Sequence, residues 1–396
     1  MRRALIALLF CCALPAFPCA AAQFGGSVRN LSELAASSPL LHEQSSLSVT
    51  TLRLEASEEF GTLGKGEVAL ENQLFHIQPR GLLSLSGDGV SRLFDLSATR
   101  GEDDHFGGQL QVDRLSLNGR SGALRWMVGR QPYGFGSILL FSPLDVIAPF
   151  APTAIDTEYR PGIDALRADF ETPGGDQVGL LTAFARDAAE DSFLATGHFN
   201  RAGVDLLLLG GSLRQRGLLG AGLAGSLGGL GIKGEAAWYR GKDAGTAKGD
   251  LHEEYPVAAL ELWYRFQNDL VVLAEYLHNG AGSSDPANYL QSVTSAAARE
   301  GISPLVGQNY LLLSPSYELH PLITLSALYI RNLDDHSWLL RPQVAISLGE
   351  NLSLAISHSL NRGAAPLSGP LPGLTVPRSE FGLYGDSVAA YLRYYF

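Results

Sequence analysis

Cysteine is almost missing from this sequence. Only three cysteines occur among 396 residues, at positions 11, 12 and 19, and the chain has none after that. This absence excludes a disulfide framework, a thiolate metal site and C-x-x-C-H haem attachment in the rest of the chain. Small secreted domains usually need disulfides, whereas a large sheet closed by backbone hydrogen bonds does not.

Long hydrophobic runs and an excess of positive charge are also missing. After residue 22, no apolar run approaches the ~18 residues that a transmembrane helix needs. If the chain crosses a membrane, it must do so as a closed barrel, because lipid cannot satisfy free backbone groups. Lys and Arg number 29 against 40 Asp and Glu, a formal net charge of −11. This acidity argues against a nucleic-acid partner, which would favour clustered basic residues.

The first 22 residues have the pattern of a secretory signal peptide. Arg2 and Arg3 precede a short apolar stretch, and the alanines at 20–22 form an A-x-A cleavage site. We predict cleavage after Ala22, so that residues 23–396 form the mature domain. A lipoprotein anchored through Cys19 is the alternative, but the adjacent Pro18 fits a lipobox poorly.

Alternating apolar and polar residues predict β-strands along the mature chain. The 45 glycines suit many short strands and tight turns, and from residue 162 onward short connections alternate with long ones. We therefore predict an all-β fold, a transmembrane antiparallel up-and-down β-barrel of about 16–18 strands, with 18 the best estimate. One strand lies either at 24–30 or at 92–99. A slip in the apolar phase between Val49 and Leu52 indicates a β-bulge.

Many charged residues lie on the polar faces of the predicted strands. A protein interior rarely buries so many charges without partners, so these side chains must face water. In an exported barrel that water fills the lumen, and both signs of charge are present. The predicted pore-lining residues are Arg125, Arg167, Asp169, Glu171, Glu261, Arg265, Glu275, Arg341 and Arg393.

A Pro-rich segment at 132–161 is too long and too apolar to be a merely solvated loop. It contains Ile-Leu-Leu-Phe at 138–141 and five prolines, which stiffen the backbone. We predict that this loop folds onto or into the barrel mouth and narrows it; packing against the outer rim is the alternative. The residues expected to face the passage are Asp145, Asp156, Glu158 and Arg160.

The last strand ends on an aromatic residue. Phe396, Tyr394 and Leu392 share the apolar face of 388–396, and Arg393 lies on the other face. This ending resembles the final strand of bacterial outer-membrane barrels. The resemblance implies an assembly signal in these three residues, read by the barrel-assembly machinery, and contact with outer-membrane lipid and lipopolysaccharide.

The stretch 126–167 carries the pattern G-R-Q…G…P-x-D…P…R-P-G-x-D-A-x-R. It resembles porin-like outer-membrane proteins, including alginate-export-like channels and the porin partners of outer-membrane cytochrome conduits. The resemblance implies a barrel that passes something across the outer membrane. The resemblance does not name the cargo. Because barrels of this size enclose an aqueous passage, we expect a channel for diffusion of small polar solutes; the alternative, which the resemblance allows, is a sheath around a periplasmic or surface multihaem cytochrome.

Other motifs point to no catalysis, metal or cofactor. Gly220–Gly225 matches G-x-G-x-x-G but lies in a Gly-rich strand and turn, without the helix that dinucleotide binding requires. Ser357 and His358 are adjacent strand residues, so they face opposite sides and cannot pair as nucleophile and base. The acidic clusters with His105 and His336 are expected to be solvated loops. The less favoured outer-membrane hydrolase therefore lacks a credible triad, and we expect no enzyme activity.

Overall fold

The computed structural model describes residues 22–39, 42–78, 90–101, 105–150, 154–246, 248–303, 305–368 and 375–396. The predicted signal peptide, apart from residue 22, lies outside these residues, as do the acidic positions 102–104. Within the described ranges, no helix is long and apolar enough to span a membrane.

Eighteen antiparallel strands form a closed barrel in the described part of the chain. The barrel strands are β1 (Gln23–Ala35), β2 (Ser45–Glu59), β3 (Lys65–Gln78), β5 (Phe106–Ser121), β6 (Leu124–Gln131), β7 (Ile163–Glu171), β8 (Gln177–Ala183), β9 (Ser192–Arg201), β10 (Val204–Leu213), β11 (Arg216–Leu227), β12 (Leu230–Arg240), β13 (Glu254–Arg265), β14 (Val271–Asn279), β15 (Asn309–His320), β16 (Ile323–Asn332), β17 (Trp338–Gly349), β18 (Leu352–Arg362) and β21 (Ser387–Tyr395).

Smaller elements occupy the connections. They are β4 (Ser97–Arg100), which pairs with β5, the two-residue strands β19 (Leu367–Ser368) and β20 (Thr375–Val376), the helices α1 (Tyr289–Thr294) and α2 (Ala296–Arg299), and 3-10 turns at Gly61–Leu63, Ala188–Glu190, Pro286–Asn288 and Phe381–Leu383. The predicted all-β barrel of 18 strands is confirmed. Of the two alternatives for the uncertain strand, 24–30 belongs to barrel strand β1, and 92–99 contributes only part of β4.

The first and last strands close the barrel. Ser27 lies opposite Tyr395, and the pairing continues without a break to Ala35 and Ser387. Beyond the last strand, the Phe396 N–H donates to the Gly26 carbonyl at 3.0 Å, and the Gly26 N–H donates back at 2.9 Å. The terminal residue therefore takes part in the backbone ladder that removes the sheet edges.

The two ends of the barrel differ in their connections. Turns of two to five residues lie at the end that also holds Gln23 and Phe396, and we call it the turn end. The opposite end, the loop end, carries the long connections 132–162, 241–253, 280–308 and 363–386, together with short ones at 214–215 and 333–337, so the predicted alternation of short and long connections is not strict. This division is typical of outer-membrane barrels, in which short turns face the periplasm and long loops face outward.

Large apolar side chains cover the outside of the wall. On β21, Val388, Leu392 and Tyr394 are exposed, while Ala389 and Tyr391 are buried on the inner face. The same alternation runs through the neighbouring strands. The exterior is therefore suited to lipid, and the polar parity faces the lumen.

The predicted bulge between Val49 and Leu52 is wrong. Strand β2 keeps a continuous register with both neighbours. Val49 lies on the inner face opposite Phe75. The apolar phase changes along β2 because the inner face itself becomes apolar near the loop end. In this part of the barrel a register shift occurs in β5, where the residues opposite Ala69 and Leu70 skip Asp113; two others lie near the turn end, in β15 and β17.

Candidate functional site: the loop inside the barrel

The described part of the connection between β6 and β7, residues 132–150 and 154–162, lies inside the barrel. Its first half reaches the inner face of β12, where Glu235 accepts hydrogen bonds from the backbone N–H groups of Ser137 at 2.5 Å and Ile138 at 3.1 Å. The Ser137 hydroxyl adds a third bond at 2.9 Å, and the Ser142 hydroxyl also donates to Glu235. One carboxylate thus satisfies several loop donors that would otherwise lack partners.

Glu261 on β13 and Glu275 on β14 continue this attachment. They accept from the backbone N–H groups of Leu139 at 2.7 Å and Phe141 at 3.3 Å. Both glutamates were expected to line open water, but their exposed fractions are 0 % and 1 %. The loop covers them, so they hold the loop and do not face the passage.

The second half of the loop is held on the opposite wall. Asp156 accepts a hydrogen bond from Arg29 on β1 at 2.6 Å. The ring of Tyr159 packs against two guanidinium groups, with centroid distances of 4.6 Å to Arg29 and 4.3 Å to Arg53 on β2. Eight strands separate β2 from β12 in either direction around the ring, so the loop crosses the lumen.

The neighbouring strand β21 adds a further attachment. Glu158 lies 3.8 Å from Arg393 and accepts a hydrogen bond from the Tyr395 hydroxyl. Arg393 also donates to Ser353 at 3.1 Å. Two of the predicted passage residues, Asp156 and Glu158, are therefore used to fix the loop to the wall.

The sequence motif around 129–165 forms the base of the loop. Arg130 and Asp164, which are cross-strand partners on β6 and β7, make a paired hydrogen bond. Gln131 donates to the Ala165 carbonyl at 3.0 Å. Gly129 has a φ of +117°, a backbone conformation that favours glycine. The G-R-Q and D-A elements thus have a structural explanation.

The skipped residue of β5 supports the same base. The Asp113 carboxylate binds Arg53 and Arg114, and it accepts the Gly162 backbone N–H at 2.9 Å. A Cβ added at Gly162 would lie 2.0 Å from the Asp113 carbonyl oxygen, so only glycine fits there. The bulge turns a carboxylate toward the point where the loop re-enters the wall.

A cavity, which we call the passage, lies between the loop and the wall formed by β15, β16 and β17. The cavity measures about 520 Å³. Its wall side carries Ser314, Ser326, Arg341 and Gln343, and its loop side is mostly apolar. Leu139 on the loop is 71 % exposed. The passage therefore has a polar wall of small side chains opposite an apolar loop surface.

An ion pair of the loop also lines this passage. Asp145 and Arg160 lie 2.6 Å apart, and Arg160 also donates to the Ala148 carbonyl at 2.5 Å. Burial raises the pKa of Asp145 to about 6, although Arg160 acts in the opposite direction. One oxygen of Asp145 is buried without a hydrogen-bond donor, which agrees with a carboxylate that ionises reluctantly.

The other predicted lining residues lie on the inner face but are spread along it. Arg167 pairs with Asp169 at 2.5 Å and packs over Tyr133, and Arg341 donates to Ser359 at 2.8 Å. The set at the turn end comprises Arg125 and Glu171, 3.7 Å apart, and Arg265, which pairs with Asp269 at 2.8 Å. Of the nine predicted residues, the structure brings only Arg341 to the 520 Å³ cavity.

Several residues of the site were not singled out from the sequence. Glu235, Arg29 and Tyr159 carry the loop attachments, and Arg130, which belongs to the G-R-Q pattern but was given no role, closes the loop base. Strand parity alone would have placed Glu235 and Arg29 on polar faces. Their partners are about 100 residues away or more, and no local pattern indicates such pairs. In the described residues, no group of three His, Cys, Asp or Glu could hold a metal ion.

These features define the class of protein. A closed barrel with an apolar exterior, a charged interior and a loop folded into its lumen is a membrane-spanning β-barrel of the porin type. This architecture belongs to the bacterial outer membrane.

Comparison with solved structures gives the same fold. OccAB4 from Acinetobacter baumannii superposes with a TM-score of 0.60 and 7 % identity, over 96 % of this chain and 98 % of that one. OccK2 (OpdF) from Pseudomonas aeruginosa gives 0.58 and 12 %, over 95 % and 97 %. A BenF-like porin from Pseudomonas fluorescens Pf-5 gives 0.57 and 14 %, over 95 % and 98 %.

Sequence comparison adds no family. No family model matches the chain, and no curated protein matches it. The structural likeness therefore concerns the fold: an 18-stranded porin barrel. It supports the porin-like resemblance seen in the sequence, but not the resemblance to alginate-export-like channels or cytochrome-conduit porins.

Proposed function

We propose that this protein is an outer-membrane channel through which small polar solutes diffuse, passively or with facilitation. The observation that carries the proposal is the position of the inner loop, whose described residues 132–150 and 154–162 are fixed to opposite walls and leave a passage beside β15–β17. Barrels of this size enclose an aqueous lumen, and a loop across that lumen restricts what can pass.

Selectivity would arise where the passage is narrowest. Asp145 and Arg160 contribute one charge of each sign from the loop, and Arg341 contributes a positive charge from the wall. The predicted residues near the turn end would act on ions at the mouth. Because both signs are present throughout, the proposal does not assign a preference for anions or cations.

Single-channel conductance in planar bilayers tests this proposal. Ser326 lines the passage, so Ser326→Trp is expected to reduce the conductance several-fold. Leu325→Trp is the matched control, because Leu325 is the next residue of the same strand and points to lipid. The conductance of this variant should equal that of the wild type. A folded wild-type protein that forms no channels would overturn the proposal, and equal effects of both substitutions would overturn the location of the passage.

The geometry disfavours the two alternative functions. A sheath around a multihaem cytochrome needs an open lumen, and here a loop crosses it. A hydrolase of the Ser–His type needs both residues on one face. Ser357 is buried on the inner face and His358 is exposed on the outer one, so the two side chains cannot meet.

The surface of the channel supports a proposal about its partners. We infer that the apolar exterior contacts outer-membrane lipid and lipopolysaccharide. The last strand, through Leu392, Tyr394 and Phe396, would present the signal for the barrel-assembly machinery. All three side chains point outward and are exposed, where an assembly factor could reach them.

A further inference from the structure

Part of the lipid-facing wall is polar. On β1 and β2, four outward positions carry amide or hydroxyl side chains: Asn30, Ser32, Ser48 and Thr50. Asn30 lies directly opposite Thr50, and Ser32 lies opposite Ser48. These positions lie on the same face of their strands as Val28 and Leu52, which are exposed and are also cross-strand partners. We call these four residues the polar patch.

The polar patch is a single hydrogen-bonded cluster. Asn30 donates to Thr50 at 2.9 Å and to Ser48 at 3.3 Å. Ser32 lies 2.9 Å from the Asn30 carbonyl oxygen and 3.1 Å from the Ser48 hydroxyl. These contacts use two protons from the amide and one from each serine. The Thr50 hydroxyl accepts within the cluster, and its own proton has no acceptor there.

Apolar residues border the polar patch on β1 and β21, whereas toward the loop end Ser46 on β2 and His76 on β3 continue the polar surface. Val28 and Leu34 flank it on β1, and Leu52 borders it on the turn-end side of β2. On the adjoining β21, the residues opposite Asn30 and Ser32 are Leu392 and Ala390. Leu34 and Leu74, beside the patch, are 68 % and 60 % exposed. Hydroxyl and amide groups at this depth lose the water that would satisfy them outside a membrane.

We propose that the polar patch is the place where the barrel contacts a second copy of this chain in the membrane. Lipid tails offer no hydrogen-bond partners, whereas another polar patch offers both donors and acceptors. Hydroxyl and amide groups are self-complementary, so the same surface can serve on both copies, as a two-fold contact requires. The exposed leucines around the patch supply the packing area, and polar side chains hold membrane segments together in this way.

Counting copies in dilute supported bilayers tests the proposal. Dye-labelled wild-type protein is expected to bleach in more than one step. Asn30→Leu combined with Thr50→Val should raise the surface density needed for association by about tenfold. Thr51→Val is the matched control, because Thr51 is the buried inward neighbour on the same strand, and it should associate as the wild type does.

Two results would overturn the proposal: wild-type barrels that remain single at every density, with or without lipopolysaccharide, or an unchanged density dependence in the double variant. Cross-linking provides a second measurement that does not depend on the folding of that variant. Ser48→Cys should give a dimer with a short bis-maleimide, and Ile356→Cys, on the apolar exterior of β18, should not. Equal yields at both positions, or none at either, would also reject the contact.

Discussion

Arg130 and Asp164 form a paired hydrogen bond across the two strands that carry the inner loop, with Nε to Oδ1 at 2.7 Å and Nη2 to Oδ2 at 2.9 Å. The side chains are 3 % and 2 % exposed. Arg130 also donates to the carbonyls of Val112 and Phe94. The point where the loop leaves and re-enters the wall is therefore tied to two further segments.

Breaking this pair should destabilise the barrel. Asp164→Ala leaves a buried guanidinium without its carboxylate, which typically costs about 3–5 kcal/mol. The measurement is the midpoint of urea unfolding, and the folded fraction at each urea concentration is determined from the mobility of the protein on unheated gels. Arg186→Ala removes the exposed pair with Asp95 and should cost no more than about 1 kcal/mol. Equal shifts of the two midpoints would contradict the structural role of the buried pair.

Glu235 should restrict the motion of the inner loop within the lumen. Glu235→Ala removes the acceptor for the N–H groups of Ser137 and Ile138. We expect a noisier current with frequent changes of level in single-channel recordings. Glu350→Ala, in the turn after β17, is the control and should leave the trace unchanged. A quiet trace of normal amplitude for the first variant would show that the other attachments suffice.

The charge of the passage should depend on pH through Asp145. Burial raises its pKa to about 6, so the folded protein binds this proton more tightly than an ordinary aspartate, whose pKa is about 4. Acidification through about pH 6 neutralises Asp145 and leaves the charge of Arg160 unbalanced. Reversal potentials in a salt gradient should therefore shift toward anions between about pH 7.5 and about pH 5. Asp145→Asn should abolish that step, and a step of the same size in the variant would assign it to another group.

Glu380 should link the outer loops in a pH-dependent way. It accepts hydrogen bonds from the Val306 N–H, the Tyr310 hydroxyl at 2.6 Å and Asn332. Burial raises its pKa to about 7. The folded state thus favours the neutral form, and the stability that this group contributes is lost as the pH rises through about 7.

Limited proteolysis of the loops 280–308 and 363–386 measures this effect. Cleavage of the wild type should accelerate between about pH 6 and about pH 8, after correction for the intrinsic activity of the protease. Glu380→Gln should remove the acceleration, and Arg378→Ala, an exposed neighbour, should retain it. The same pH dependence in all three proteins would refute the role of Glu380.

Much of the wall could be predicted from sequence, and the inner loop only in outline. Alternation of apolar and polar residues gave the strand number and the inward parity of Arg167 and Arg341. The same reasoning took Glu261 and Glu275 to be exposed to water, because nothing local shows that another segment covers them. The bulge was assigned to β2 for a related reason: an apolar inner face near the loop end has the same pattern as a change of register.

The sequence by itself determined the class of this protein. A two-residue period, the absence of long apolar runs and a final aromatic strand leave few structures other than a lipid-facing barrel. These features can be recognised in the sequence because each of them depends only on neighbouring residues. Only the tertiary structure decided which charges meet. The attachment of Glu235 to Ser137 and of Arg29 to Asp156 joins residues about 100 positions apart or more. Such pairs depend on the closure of the barrel and on the path of the loop across it, which no local pattern contains.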